Sequence, residues 1–364
     1  MPRRTATMLA STLLLIAMLC AALLIKVPYA EMSPGPTVNT LGEHDGEPVL
    51  NIKDHRTYDT SGHLNMTTVR VTASDYRMNL LEAVGGWLQH DSAVVPHSTL
   101  YPEDKSAKEV DQQNAEEFSA SQESAKVSAL RELGIRVPSY IIVGSVVKDG
   151  AAEGKLHAGD LIRNVDGKAV KDPKGVADLV TKHKPGEKVS FTVIPAAKVK
   201  AAQKAGKKPS PRDAEQISVG TKKAGDDGRA IVGIQPATGH AFPFDIDIKL
   251  ADVGGPSAGL MFSLGIVDKL TRDDLTGGSF VAGTGTIDDK GKVGAIGGIQ
   301  MKTVAARAKG AKYFLTPAAN CPTAAKDKPA GLTLVKTRDI GDAMGALKKI
   351  REDDTAGIPR CKAN

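Results

Sequence analysis

The sequence predicts an α+β protein of two or three domains behind an N-terminal transmembrane helix. Three observations carry that prediction. The run Ala6–Ile25 holds no charge. Beyond it, segments with β-branched alternation are interleaved with segments of helical period. The chain of 364 residues, with 37 Gly, has room for ample core and many tight turns.

At 1.5 Å per residue the apolar run spans about 30 Å, the thickness of a bilayer core. Arg3 and Arg4 precede it and Lys26 ends it. The run exceeds a usual signal-peptide core, and Pro28-Tyr29-Ala30 is a poor small-x-small cleavage site, so residues 6–25 read as a signal anchor. Cys20 follows Leu19, which excludes a lipid-attachment site. With the arginines held inside, the rest of the chain faces away from the cytoplasm. In that oxidising space Cys321 and Cys361 suggest one disulfide tying the tail to the body, the alternative being two free thiols. Neither shows metal-ligand spacing, so no metal is expected.

The net charge of +6 resembles a nucleic-acid signature until the lysines are located. Many lie between Lys198 and Arg229 among Ala, Gly, Pro and Ser, without stacking aromatics, which makes a solvated loop and no nucleic-acid partner. Gly283-Thr-Gly-Thr-Ile-Asp288 is not Gly-x-Gly-x-x-Gly and no Walker sequence occurs, so no ATP and no other cofactor is expected.

Taken in order, Met32-Ser-Pro-Gly-Pro-Thr37 reads as a rigid turn-rich exit from the span. Val49–Lys53 and Leu64–Val71 read as strands, Asn79–Leu88 as an amphipathic helix, and Glu103–Leu133 as a long helix ending at Gly134. His55, His63, His90 and His97 fall at uneven intervals and make no ligand set. From Tyr140 come a strand to Val147, a small-residue turn, Gly159-Asp160 with an apolar strand, and an Asp166-Gly167 hairpin. A helix from Lys174 to His183 and the Pro185-Gly186 turn with a strand to Val193 follow. This order, over about 90 residues, resembles a PDZ domain. The resemblance implies strand addition of an extended peptide or C-terminal tail, with Val137, Ser139, Tyr140 and Ile141 at the binding edge. Arg136-Val-Pro-Ser139 stands at the carboxylate loop but lacks its Gly-Leu-Gly-Phe pattern. Ile217–Thr221 would be the last strand, after a lysine-rich loop at 195–215.

A third region opens at Ala230–Gln235 and runs through the alternating strand Phe244–Leu250 into Asp252-Val-Gly-Gly-Pro-Ser-Ala-Gly-Leu260. Leu260, Met261, Leu264 and Val267 mark one helix face, which places Ser257 at a helix N-terminus, where unpaired N–H groups favour developing negative charge. Strands at Ser279–Gly285, Lys292–Ile296, Tyr313–Thr316 and Leu332–Val335, and a helix Asp339–Lys349, complete the region. Gly255-Pro-Ser-Ala-Gly259 formally fits the Gly-x-Ser-x-Gly elbow. The last histidine, His240, precedes the serine, so the hydrolase order Ser…His is missing. A lysine must then serve as base. Its amine must fall by ~3 pKa units to be neutral near pH 7, roughly 4 kcal/mol, which burial can supply. Lys302, in the first turn of a helix from Gln300 to Lys309 and flanked by Ile296, Ile299, Met301, Val304 and Ala305, is suited to that shift. Lys290, Lys292, Lys309 and Lys312 are the fallback.

Gly255-Pro-Ser-Ala-Gly259, Gly283-Thr-Gly-Thr-Ile287, Gly291-Lys-Val-Gly-Ala-Ile-Gly-Gly-Ile-Gln-Met-Lys302 and Ala305-Ala-Arg-Ala-Lys-Gly-Ala311 together resemble the proteolytic domain of Lon-type serine–lysine peptidases. The resemblance implies Ser257 as nucleophile, Lys302 as general base and Thr284 as a supporting hydroxyl, with the oxyanion held by backbone N–H groups of Gly255 and Ser257. Where that family usually carries Asp three residues before the serine, Gly254 stands here and Asp252 lies five before; Thr-Gly-Glu becomes Thr284-Gly-Thr286, and His-x-His becomes Asp245-x-Asp247. Anchor, PDZ and Lon-type segments in one chain are similar to YlbL-like membrane-anchored proteins, whose protease domain is interrupted by the PDZ.

The expected organisation is therefore a cytoplasmic stub and anchor at 1–30, the first part of the protease domain at 31–134, a PDZ domain at 135–224, and the protease core with its tail at 225–364. The expected activity is ATP-independent serine endopeptidase cleavage of extracytoplasmic proteins or peptides, possible tail recognition falling to the PDZ; a catalytically silent PDZ scaffold at the membrane is the alternative. A homo-oligomeric ring is implied by the resemblance alone.

Overall fold

The computed structural model describes residues 3–363 except 90, 103–104, 206, 226 and 251–252. His90, Glu103 and Asp252, all named above, lie outside the described residues. The chain forms two compact units, one from residues 1–51, 56–133 and 246–364, the other from 52–55 and 134–245.

In the first unit a six-stranded sheet runs in the order Thr333–Thr337, Tyr313–Pro317, Phe280–Gly283, His63–Val71, Tyr29–Asn39, Ala93–Pro96. The first four are mutually parallel and the last three antiparallel. Tyr29–Asn39 occupies the stretch expected to be an exit turn. Pro34 and Pro36 are tolerated because the register breaks between Pro34 and Thr37, where a bulge releases ladder positions that proline cannot donate to. Gly35 sits against Thr68 so closely that any Cβ would collide with it.

The helix Gly259–Leu270 is apolar around nearly its whole circumference, as a fully buried helix must be. It packs on the long helix Ala107–Glu132, which begins in a Ser106/Glu109 capping box. Phe118 meets Phe262 edge-on with ring centroids 6.0 Å apart, and Ser263 Oγ donates to Ala125 O at 3.2 Å. Asp268 is the buried charged residue of Gly259–Leu270. Its Oδ1 accepts from Leu275 N at 2.7 Å, Oδ2 has no partner among the described residues, and burial pushes the carboxyl up to about 6. A raised acid contributes stability fully below its unfolded value near 4, and loses it as pH rises through about 6. Asp268→Asn should therefore gain on the parent between pH 4 and pH 8, by up to about 3 kcal/mol. Melting temperatures of the two full-length chains in detergent would test this; a pH-independent difference would contradict it.

At the C-terminus Cys321 and Cys361 are disulfide-bonded across a sequence separation of 40. Lys336 N donates to Pro359 O at 2.9 Å and Cys361 N to Leu334 O at 3.0 Å, so the tail lies along the outer strand Thr333–Thr337 and covers its edge.

In the second unit the sheet order is Glu215–Gly220, Lys188–Ile194, Leu161–Val165, Ser139–Val146, Ile234–His240. Val143, Val165, Val189, Phe191, Val193 and Val219 are fully buried at its core. Asp166 and Gly167 both take positive φ (49° and 74°), the two-residue hairpin that Asp-Gly favours. Two expectations are corrected. The lysine-rich stretch expected to be a loop at 195–215 contains the helix Ala196–Lys204, since its alanines and lysines are good helix formers. The strand expected to open the protease core near Ala230 leads instead into Ile234–His240, which belongs to this unit.

Candidate active site

Ser257 sits in the glycine turn just before Ala258, the N-cap of the buried helix. Gly255 takes φ +79°, a conformation that side chains resist, and lets the chain turn sharply into the helix. The turn is held from three sides. Gly255 N donates to Asn114 O at 3.1 Å, Ser121 Oγ donates to Pro256 O at 2.9 Å, and Gly285 N donates to Ser257 O at 2.8 Å. A Cβ on Gly254 would lie 3.1 Å from Asn114 Cβ, which leaves little room for the carboxylate that the resembling family carries there.

Lys302 enters from the helix Ile299–Ala308, whose N-cap Gly298 is left-handed at φ +66°. Its side chain is 3% exposed. Nζ lies 2.7 Å from Ser257 Oγ, 2.9 Å from Thr67 O and 3.2 Å from Thr284 Oγ1. All three are neutral groups, and burial alone pulls the amine down to about 8. A neutral amine has two N–H groups and one lone pair. Thr67 O and Thr284 Oγ1 can take the two N–H groups, leaving the lone pair for the Ser257 hydroxyl proton. Thr284 also donates its own hydroxyl to Ser257 O at 2.9 Å, so it ties both members together.

The structure thus brings Ser257, Lys302, Thr284 and Gly255 into one place. It gives Gly255 a different part, because the N–H expected to face an oxyanion is engaged by Asn114 O. Among the described residues the Ser257 N–H takes no backbone acceptor. Thr67 and Asn114 escaped the sequence reading, since each acts through a backbone carbonyl and no side-chain pattern marks that. An open cleft of about 700 Å³ is lined by Ser257 and Lys302 together with Thr67–Val71 and Val253–Pro256.

In the second unit the expected peptide edge is corrected. Ser139–Val146, which carries Ser139, Tyr140 and Ile141, is paired along its length with Ile234–His240 and on its other side with Leu161–Val165. The strand therefore lies inside the sheet, its contact with Leu161–Val165 made at Ile142↔Leu161. Val137, just before it, is buried. The free edge belongs to Ile234–His240. Beside it Val176 and Val180 of the helix Pro173–Val180, with Ile231, Val232 and Ile234, line a groove of about 540 Å³. The turn before that strand, with Gly233 at φ +78°, was the available sequence signal.

Residues 117–203 match the PDZ domain model, and residues 250–337 match that of the Lon protease (S16) C-terminal proteolytic domain. Among solved structures the chain is similar to the PDZ domain of an SdrC-like protein from Listeria monocytogenes, at 28% identity over 27% of this chain and 86% of that one, TM-score 0.21. A second is the PDZ domain of an SdrC-like protein from Listeria innocua, at 27% identity over 28% of this chain and 99% of that one, TM-score 0.22. No curated protein matches the chain. The chain therefore has mixed helix and strand content, a PDZ domain preceding a Lon-type proteolytic domain, and an N-terminal helix, Arg3–Leu24, apolar enough to cross a membrane.

Proposed function

We propose, for a chain that joins a PDZ domain to a Lon-type proteolytic domain, that it is a membrane-anchored serine endopeptidase working without ATP through Ser257 and Lys302. The observation that carries the reading is the buried amine 2.7 Å from the serine hydroxyl with no carboxylate among its described partners.

In this reading neutral Lys302 takes the proton from Ser257 Oγ as the oxygen attacks the scissile carbonyl. The tetrahedral oxyanion forms beside the Ser257 N–H at the helix N-terminus. The resulting ammonium protonates the departing amine, leaving an acyl-ester on Ser257, and the neutral amine then activates the water that releases it. Thr284 fixes the distance between the two groups throughout. A substrate strand lies extended between Thr67–Val71 and Val253–Pro256. The groove beside Ile234–His240 recruits polypeptide by strand addition.

The anchor reading rests on Arg3–Leu24, which is long and apolar enough to cross a membrane, and on the Arg3 and Arg4 flank. The disulfide favours the oxidising side of the membrane.

The full-length chain in detergent should cleave unfolded casein without nucleotide. Its kcat/KM should rise about tenfold per pH unit at low pH and level off above an apparent pKa near 8, because roughly a tenth of the amine is neutral at pH 7. A flat profile between pH 6 and pH 9 would remove Lys302 as the base, and absence of cleavage throughout would favour the scaffold.

A further inference from the structure

The short helix Leu80–Leu88 carries one of the most exposed apolar surfaces of the folded units. Leu80, Leu81, Val84, Trp87 and Leu88 lie at i, i+1, i+4, i+7 and i+8, which is one helix face. Trp87 and Leu88 are 80% and 79% exposed. The opposite face is committed to the protein: Gly86 is buried, and a Cβ there would lie 2.9 Å from Val94 Cγ2. An apolar cleft of about 260 Å³ opens between the helix and the sheet, bordered by Tyr29, Leu80, Ala83, Val84, Trp87 and Val94.

The place where this helix starts says what covers it. Leu80 N donates to Ile25 O at 3.0 Å and Val27 N to Met78 O at 2.9 Å, with Lys26 bridged to Asn79. The first residue of the apolar helix is therefore bonded to the last residue of the uncharged run. Lys26 at that junction holds its ammonium 5.6 Å from the centre of the Tyr76 ring, a pairing suited to the headgroup level. A span that leaves the hydrocarbon at Ile25 puts Leu80–Leu88 at the membrane surface, its apolar face continuous with the span.

We propose that Leu80–Leu88 is an interfacial helix, seated in the outer acyl and headgroup boundary of the same leaflet from which the chain emerges. The proposal rests on the anchor reading above. It gives the catalytic unit a second, peripheral hold on the bilayer. The strand Tyr29–Asn39, which borders the helix, also contributes Met32 and Pro36 to the catalytic cleft. The cleft is thereby kept near the lipid surface and favours membrane-proximal segments as substrates.

Trp87 is the only tryptophan in the chain, so its fluorescence reports on this helix alone. The full-length protein would be reconstituted into phosphatidylcholine–phosphatidylglycerol vesicles, with and without phospholipid brominated near the upper end of its acyl chains. Expected are a blue-shifted emission, a fall by half or more with the brominated lipid, and weak quenching by aqueous iodide. The double substitution Leu81→Glu and Leu88→Glu should restore iodide access without changing resistance to alkaline carbonate extraction. Iodide access and no bromolipid quenching in carbonate-resistant protein would overturn the interfacial helix and leave the anchor standing. Shielding from iodide without bromolipid quenching would mean that protein covers the face, which also overturns it. Persistent bromolipid quenching in the double variant would show that this face does not seat the helix. Release by carbonate would overturn anchor and interfacial helix together.

Discussion

Lys302→Met should abolish casein cleavage, lowering kcat/KM by about a thousandfold or more, with the fold retained. Lys302 is nearly fully buried, and among the described residues its ammonium faces Thr67 O, Thr284 Oγ1 and Ser257 Oγ. Holding it about 2.5 units below its usual value costs on the order of 3 kcal/mol of charged-state stability at neutral pH. Methionine is close in length and apolar, so that penalty disappears. Three acceptors lose a donor in exchange, each worth roughly 1 kcal/mol. Melting temperature should therefore move little, while chemistry stops. Lys302→Arg should be equally inactive, because a guanidinium is never neutral in this pH range. Ser257→Ala should match the methionine variant, and the double variant should be no worse than either, since the two groups act as a unit. If Lys302→Met cleaves at the parent rate, the proposed dyad is wrong.

Loss of the disulfide should produce the largest change in stability. Cys321 and Cys361 close a loop with a sequence separation of 40, for which chain-entropy arguments give about 4 kcal/mol. More depends on the crosslink than loop entropy. The tail it secures pairs with Thr333–Thr337 through Pro359 and Cys361, and buries Ile358. Without it the outer strand of a mostly parallel sheet presents a free edge to other chains. Cys361→Ser should lower the melting temperature by several degrees and promote aggregation on storage. Parent protein treated with reductant should behave the same way. An unchanged melt in both would mean that tail packing alone carries the C-terminus.

The parts of this protein that could be read from sequence are those in which side-chain type and position coincide. The apolar helix Arg3–Leu24 is legible in the length and lack of charge of residues 6–25. Ser257 is set by glycines that only a tight turn requires, and Lys302 by apolar neighbours on its own helix. What could not be read depends on partners far away in sequence. Tyr29–Asn39 contains Ser-Pro-Gly-Pro, which locally argues for a turn; its place between two strands is decided by pairing with His63–Val71, and the bulge accommodates the prolines. The free edge of the PDZ unit was misplaced for the same reason. Ser139–Val146 has the pattern of a strand that could bind peptide, and only the return of Ile234–His240, some 90 residues later, occupies its edge. The role of Gly255 changed because a backbone carbonyl, Asn114 O, claimed its N–H.

The division of the catalytic unit across the chain has a temporal consequence. Thr67, Ser257 and Lys302 meet in one cleft, yet the first is separated from the others by the whole segment 134–245. A chain emerging from a ribosome or a translocation channel delivers Thr67 early and Lys302 late. On the proposed mechanism the hydroxyl of Ser257 has no base before residue 302 has appeared. The long loop must also be closed before those contacts form, which makes this a late event in folding. On the same proposed mechanism a nascent copy is chemically inert until residue 302 has been made, and a copy truncated before it stays so.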